Sequence, residues 1–221
     1  MGIHYYVTDV ETTGLKSGYQ EMTELGIVKA LNKVQLYRKI KCEYPERASM
    51  DALKVTNKTF TDLLQGMNKK DVVAEANKFF AEDGQRPAAR CIIGHNVQFD
   101  RKFLFALWES VGEEFPAHLW LDTITLTQAF IDISDPATLK ITKTATGKIS
   151  KKLNHALELV DIPKLSAQHD AKSDSQNTFL LWRRLTQEKG IDHLPHHKMV
   201  IHKFKEDERK DIDDLDMSDV F

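Results

Sequence analysis

Long apolar runs are missing from this chain. No stretch approaches the ~18 consecutive apolar residues that a membrane span requires, and the mean hydropathy is −0.43. The N-terminus, Met1-Gly2-Ile3-His4-Tyr5-Tyr6, lacks the basic-then-apolar order of a secretory signal, and Tyr6 stands where a myristoylation signal needs Ser or Thr. Cysteine is equally scarce. Cys42 and Cys91 are the only two, and without metal-type or redox-type spacing they exclude a zinc cluster and a disulfide framework. The expectation is a cytoplasmic protein without membrane contact and with reduced, buried thiols. There is no internal repeat, and the six prolines (Pro45, Pro87, Pro116, Pro136, Pro163, Pro195) all fall between the periodic segments.

What is present is a 221-residue chain, 41% hydrophobic and 29% charged, enough for one substantial domain with a buried core. Its net charge of −2 conceals an asymmetry. Residues 205–221 carry eight acidic and three basic residues, which leaves 28 basic against 25 acidic in residues 1–204. A mildly basic body with a strongly acidic tail suits a domain that handles a polyanion and carries an interaction segment. The division drawn is a domain over 1–190 and a polar, acidic tail over 191–221.

Chemistry concentrates where the first apolar run ends, at Asp9-Val10-Glu11-Thr12-Thr13-Gly14-Leu15. Alternation along a strand sends residues two apart to one face, so Asp9 and Glu11 project side by side. Their repulsion is relieved by a proton on one of them or by a divalent cation between them, of the Mg²⁺ or Mn²⁺ type. A solvated turn leading to Gly14 is the other reading of so short a pattern.

Periodicity predicts strands over Ile3–Asp9, Met22–Leu31 and Val34–Cys42, the last two joined by a tight turn at Asn32-Lys33. Helical spacing follows over Ala48–Val55, Thr59–Gln65 and Lys69–Ala81, with Thr59 and Asn68 as caps and Gly66 and Gly84 as stops. Two further strands, Arg90–Gly94 and His118–Asp122, each precede a helix, Gln98–Val111 and Thr123–Ile131. Ser134–Lys148 reads as a long surface loop, and helices over Lys151–Val160 and Gln168–Gln187 complete the body. A strand meander followed by strand–helix repeats describes an α/β domain with a largely central first strand and helices on both faces.

Two later stretches supply partners for Asp9 and Glu11. His95-Asn96-Val97-Gln98-Phe99-Asp100 follows a buried strand, and a carboxylate on the first turn of a helix is readily kept ionised. His169-Asp170-Ala171 opens the last helix, with Asp174 five residues beyond the histidine and Asp170 placed as a cap.

Together these residues resemble the DEDDh (DnaQ-like) group of 3′–5′ exonucleases, which includes the proofreading subunit of bacterial replicative polymerases. The first motif is matched by Asp9, Glu11, Thr12, Thr13 and Gly14, the second by His95, Asn96, Phe99 and Asp100, and the third by His169, Ala171 and Asp174, with Leu121-Asp122-Thr123 between. The resemblance covers roughly residues 3–185 and implies an RNase H-like fold with a mixed five-stranded sheet. It also implies two Mg²⁺ or Mn²⁺ ions held by Asp9, Glu11, Asp100 and Asp174, with Asp9 bridging and Asp100 acting through water. His169 would then be the general base of a two-metal hydrolysis.

Around that centre, Thr12 and Thr13 offer groups to a terminal 3′-OH, while Leu15 and Phe99 offer apolar faces to terminal bases, Phe99 being equally placed for the core. His95 and Asn96 belong either with the substrate, Asn96 toward the terminal sugar, or with the caps of the next helix. Lys140, Lys143 and Lys148 either meet phosphates or are solvated. The expected partner is nucleic acid with a free 3′ end, single-stranded DNA favoured, in proofreading or end trimming. RNA trimming and a catalytically idle binding module are the alternatives. Ending in Phe221 behind an acidic run, the tail could recruit a replication partner or fold back over the substrate path.

Overall fold

In strand β1, His4–Thr12, residues alternate between two helical layers. Tyr6 and Val10 pack on one side with residues of the helices before and after the strand Arg90–Gly94, and Val7 packs on the other with the C-terminal helices. Burying both faces of the strand is what makes Tyr5–Val7 continuous in apolar character. The computed structural model describes residues 2–166 and 169–191, together with the backbone of 202–203. Of the tail expected over 191–221, only Ile191, which is buried, and the backbone of 202–203 fall within the described residues.

β1 pairs antiparallel with β2 (Met22–Lys29), which pairs antiparallel with β3 (Gln35–Lys39). On its other edge β1 runs parallel to β4 (Arg90–Gly94), followed in parallel by β5 (Leu119–Asp122). The expected mixed sheet of five strands with β1 inside is therefore present, and a two-residue strand β6, His202–Lys203, extends it antiparallel to β5. Its order is β3-β2-β1-β4-β5-β6.

Helices α1 (Met50–Thr56), α2 (Phe60–Leu63) and α3 (Lys69–Ala81) follow the meander. Thr59 caps α2 in a reciprocal box with Asp62, whereas Asn68 precedes α3 without a side-chain bond to it. α4 (Val97–Glu109) joins α3 on the Tyr6–Val10 face, where Phe80, Phe103, Leu104 and Trp108 fill the layer. α5 (Thr123–Ile133), α6 (Leu153–Leu159) and α7 (Ala171–Arg183) cover the Val7 face with Leu126, Leu157, Phe179 and Trp182. α7 continues as a π-type turn, Arg184–Glu188. Cys42 and Cys91 are buried and unbridged.

The segment expected as a long surface loop over Ser134–Lys148 holds a short 3₁₀ turn, Pro136–Thr138, and then a narrow hairpin with Lys143 opposite Ile149. Thr144 donates to the Lys148 carbonyl at 2.8 Å and Ser150 to Thr142 at 2.9 Å. Polar composition hid this hairpin, because its order comes from backbone pairing and not from an apolar face. Among the described residues no helix is long and apolar enough to cross a membrane.

Candidate active site

The Val7 face of β1 is also the face of Asp9 and Glu11, so both carboxylates look toward α7. Oxygens of Asp9, Glu11 and Asp174 lie within 4.8 Å of one another, a separation that one divalent ion can span. Asp9 and Glu11 are half-buried and Asp174 is buried. Burial and the charges of Asp100, Glu11 and Asp174 push the Asp9 carboxyl well above its usual range. Glu11 is pushed up to about 7 by burial and by Glu24 and Asp174, with Lys58 and His169 working against the rise. Carboxylates that resist ionising together are a set poised for a cation.

Asp100 occupies the first turn of α4 and is 4% exposed. It is the leading charged influence on Asp9 yet stands outside the three-carboxylate group. α4 packs on the opposite layer from α7, and burial pushes the Asp100 carboxyl well above its usual range, against the ionisation expected at a helix start, with the Val10 amide working against the rise. His169 lies before α7 with Nδ1 3.6 Å from Asp174 Oδ2, and its side chain is half exposed. Contact with Asp174 raises its pKa above the ordinary histidine value, against a partial burial that lowers it. Asp170 caps α7 by accepting from the Ser173 amide at 2.8 Å.

The residues expected at the substrate divide. Leu15 is 50% exposed, and Phe99 is half-buried, its ring 5.1 Å from that of Phe103. The Thr12 hydroxyl donates to Gly14 O at 2.7 Å and that of Thr13 accepts from the Glu21 amide at 2.8 Å, so both shape the loop after β1. Asn96 takes the left-handed conformation (φ 65°) at the start of α4 and caps nothing with its side chain.

His95 is spent on structure. Burial holds its pKa down. Nε2 donates to the Lys151 carbonyl at 2.6 Å, and Nδ1 lies 2.8 Å from the Thr123 hydroxyl, which itself donates to the Gly94 carbonyl at 3.1 Å. The ring thereby fastens the segment after the hairpin to the end of β4. Asp122 gathers the amides of Asn96 (3.0 Å), Val97 (3.1 Å) and Ile124 (2.9 Å), holding the starts of α4 and α5 with one carboxylate.

Two residues were missed at the level of sequence. Glu24 stands directly opposite Glu11 across the β1–β2 ladder and is 4% exposed. Its Oε2 accepts from the Ala171 amide at 3.2 Å, and its Oε1 lies 3.0 Å from Lys58 Nζ. It therefore ties the start of α7 to the sheet, and Lys58 offsets two like charges that face one another. Gly26 is opposite Asp9. A residue's partner across a ladder depends on register, which neither composition nor spacing announces. A cavity of about 270 Å³ lined by Glu24, Tyr37, Lys58, His169 and Lys172, among others, opens beside the carboxylates.

A mixed sheet with a central acidic strand, covered by a helix bearing a third carboxylate, defines the class: a nuclease-type RNase H-like domain. The chain belongs to the exonuclease family typified by RNase T, whose pattern matches residues 6–181, and so to the DnaQ-like 3′–5′ exonucleases. It is 26% identical over 195 residues to the PolC-type DNA polymerase III of Listeria monocytogenes, covering 87% of this chain and 12% of that protein. It is 27% identical over 196 residues to the Halalkalibacterium halodurans counterpart, with 88% and 12% covered. The chain thus spans only about an eighth of these relatives. In fold it is similar to E. coli exonuclease I in complex with a dT13 oligonucleotide, at TM-score 0.69 and 18% identity, over 89% of this chain and 45% of that one. Exonuclease I of Methylocaldum szegediense gives TM-score 0.66 at 17% identity, over 86% and 42%.

Proposed function

We propose that this chain is a divalent-metal-dependent exonuclease that removes mononucleotides from the 3′ end of single-stranded DNA. The observation that carries the reading is the convergence of Asp9, Glu11 and Asp174 within 4.8 Å. Three oxygen donors in that space fit Mg²⁺ or Mn²⁺, both of which favour carboxylate ligands. Asp9, Glu11 and Asp174 would hold one ion, and Asp100, outside the trio, would serve a second with Asp9. When bound, two such ions supply an activated water and offset the charge that builds on the phosphate.

The chain's own residues do the rest. His169 takes the proton of the attacking water at whichever ring nitrogen is free of Asp174, which keeps the imidazole oriented. Glu24 and Gly26 keep α7 against β1, so that Asp174 and His169 arrive at the same end of the strand. Leu15 and Phe99 line the approach for the terminal bases. The dT13 strand named for the E. coli relative supports single-stranded DNA as substrate, and the PolC-type relatives support a replicative setting. The acidic segment 205–221 is proposed as an interaction tail, and deleting it should raise affinity for single strands or abolish a partner contact.

The test is a 5′-labelled oligonucleotide, as DNA and as RNA, incubated with Mg²⁺ and with chelator. Stepwise shortening from the 3′ end, fastest on DNA and absent with chelator or in Asp9→Asn, is expected. Equal shortening by Asp9→Asn would defeat the site assignment, and faster RNA loss would reassign the substrate.

A further inference from the structure

On the surface, one cation lies against two aromatic rings. The Arg47 guanidinium carbon is 3.9 Å from the ring centre of Tyr44 and 5.2 Å from that of Tyr19. Both rings remain open to solvent, Tyr19 at 55% and Tyr44 at 43% exposure. Nothing in the exonuclease chemistry above uses these three residues.

Their backbone is fastened to the catalytic strand. Gln20 Nε2 donates to the carbonyls of both Thr13 and Arg47, each at 3.2 Å, and the Ser49 amide donates to Thr13 O at 2.8 Å. Thr13 and Glu21 close the loop with paired bonds, each of 2.8 Å. Gly14 leaves the space that the Gln20 side chain fills, since a Cβ there would sit 1.9 Å from Gln20 Nε2. Thr13 is two residues past Glu11, and exposed Leu15 follows it. The Tyr19–Arg47–Tyr44 stack is therefore held in fixed relation to the end of β1.

We propose that Tyr19, Arg47 and Tyr44 form a stacking platform for unpaired bases of the single strand whose 3′ end lies at Asp9, Glu11 and Asp174. The proposal rests on the exonuclease reading and adds a site for nucleotides upstream of the scissile one. Tyrosine rings accept any base by stacking, and a guanidinium plane stacks on bases while countering phosphate charge. Because Arg47 already orders the rings, binding loses little side-chain freedom. Bases in a duplex have their faces covered by neighbours, so such a platform favours single strands.

The test compares kcat/KM on a DNA of about 12 nucleotides, within the span of single-strand sites, with kcat/KM on a dinucleotide. In the double variant Tyr19→Ala/Tyr44→Ala the preference for the longer strand should fall roughly ten- to hundredfold, the range of losing one or two stacked bases. Tyr19→Phe/Tyr44→Phe should restore it, since stacking survives loss of the hydroxyl. A preference unchanged within about twofold, below what one stacked base contributes, overturns the platform and leaves the stack to a protein partner. A second measurement uses the unaltered chain: oligonucleotides carrying 5-iodouracil are photocrosslinked in Ca²⁺ and mapped by mass spectrometry. Adducts on Tyr19 or Tyr44 are expected, and adducts confined elsewhere overturn the proposal. If the unaltered chain cleaves neither substrate, the exonuclease reading fails, while crosslinking still decides the platform.

Discussion

Gly26 yields its side-chain space to Ala171: a Cβ on Gly26 would stand 2.1 Å from the Ala171 carbonyl and 2.7 Å from Ser175 Oγ. Gly26 is also the residue opposite Asp9 in the β1–β2 ladder. The helix that carries Asp174 can thus press onto the sheet directly beside the position of Asp9. Replacing Gly26 with Ala forces backbone to move, because the obstacle is a main-chain oxygen. The expected outcome is a loss of about 1–3 kcal/mol in urea unfolding, the usual cost of overpacking, with a fall in kcat larger than any change in KM. Full activity in Gly26→Ala would show that α7 can retreat without disturbing the site.

Crowded carboxylates also govern stability. Glu11 is raised from its ordinary value to about 7, so the folded chain holds its proton longer than the unfolded chain does. Stability of the metal-free protein should therefore fall as pH rises from about 4.5 to about 7. Melting curves in chelator should show that decline, Mg²⁺ should reverse it above pH ~7 by binding only the folded form, and Glu11→Gln should flatten it.

For His169 the sign runs the other way in activity. Asp174 raises the imidazole pKa above the ordinary value, and a general base works only when neutral. The rate should climb with pH through a midpoint above ~6.5, the unperturbed value. His169→Ala should lose ~10²–10⁴ in kcat, the usual share of a general base, with Mg²⁺ affinity by calorimetry changing far less. A variant with the same pH profile as the parent would remove His169 from proton transfer.

Lys58 and Glu24 form a pair whose side chains are 13% and 5% exposed. Lys58→Met alone leaves Glu24 buried and uncompensated opposite Glu11, at a cost of ~3–5 kcal/mol. Lys58→Met with Glu24→Gln should recover much of that loss, and a double-mutant cycle by chemical denaturation measures the coupling. Additive losses would mean that the pair is not the unit that holds this corner.

The pattern of elements was legible because its signals are local. The helix at Lys69–Ala81 and the strand at Arg90–Gly94 match their predicted limits, and the Thr59 cap and the Asp170 cap need only their neighbours in sequence. Asp9 and Glu11 were readable for the same reason, since alternation alone sends both to one face. His95 was not. Its place in the motif left open the substrate or a helix cap, whereas its ring bonds are made with Thr123 and Lys151, far along the chain.

Adjacent residues were enough for the order of the main strands and helices from β1 to α7, the acidic end of β1 and the family to which the chain belongs, because periodicity, capping and short motifs are local. That Glu24 faces Glu11, that Gly26 opens a seat for α7, and that the helix of Asp100 covers the layer opposite the helix of Asp174 came from the packed molecule alone. Those relations depend on ladder register and on which face of the sheet each helix covers. Both are settled by packing the whole core at once, which no local stretch encodes.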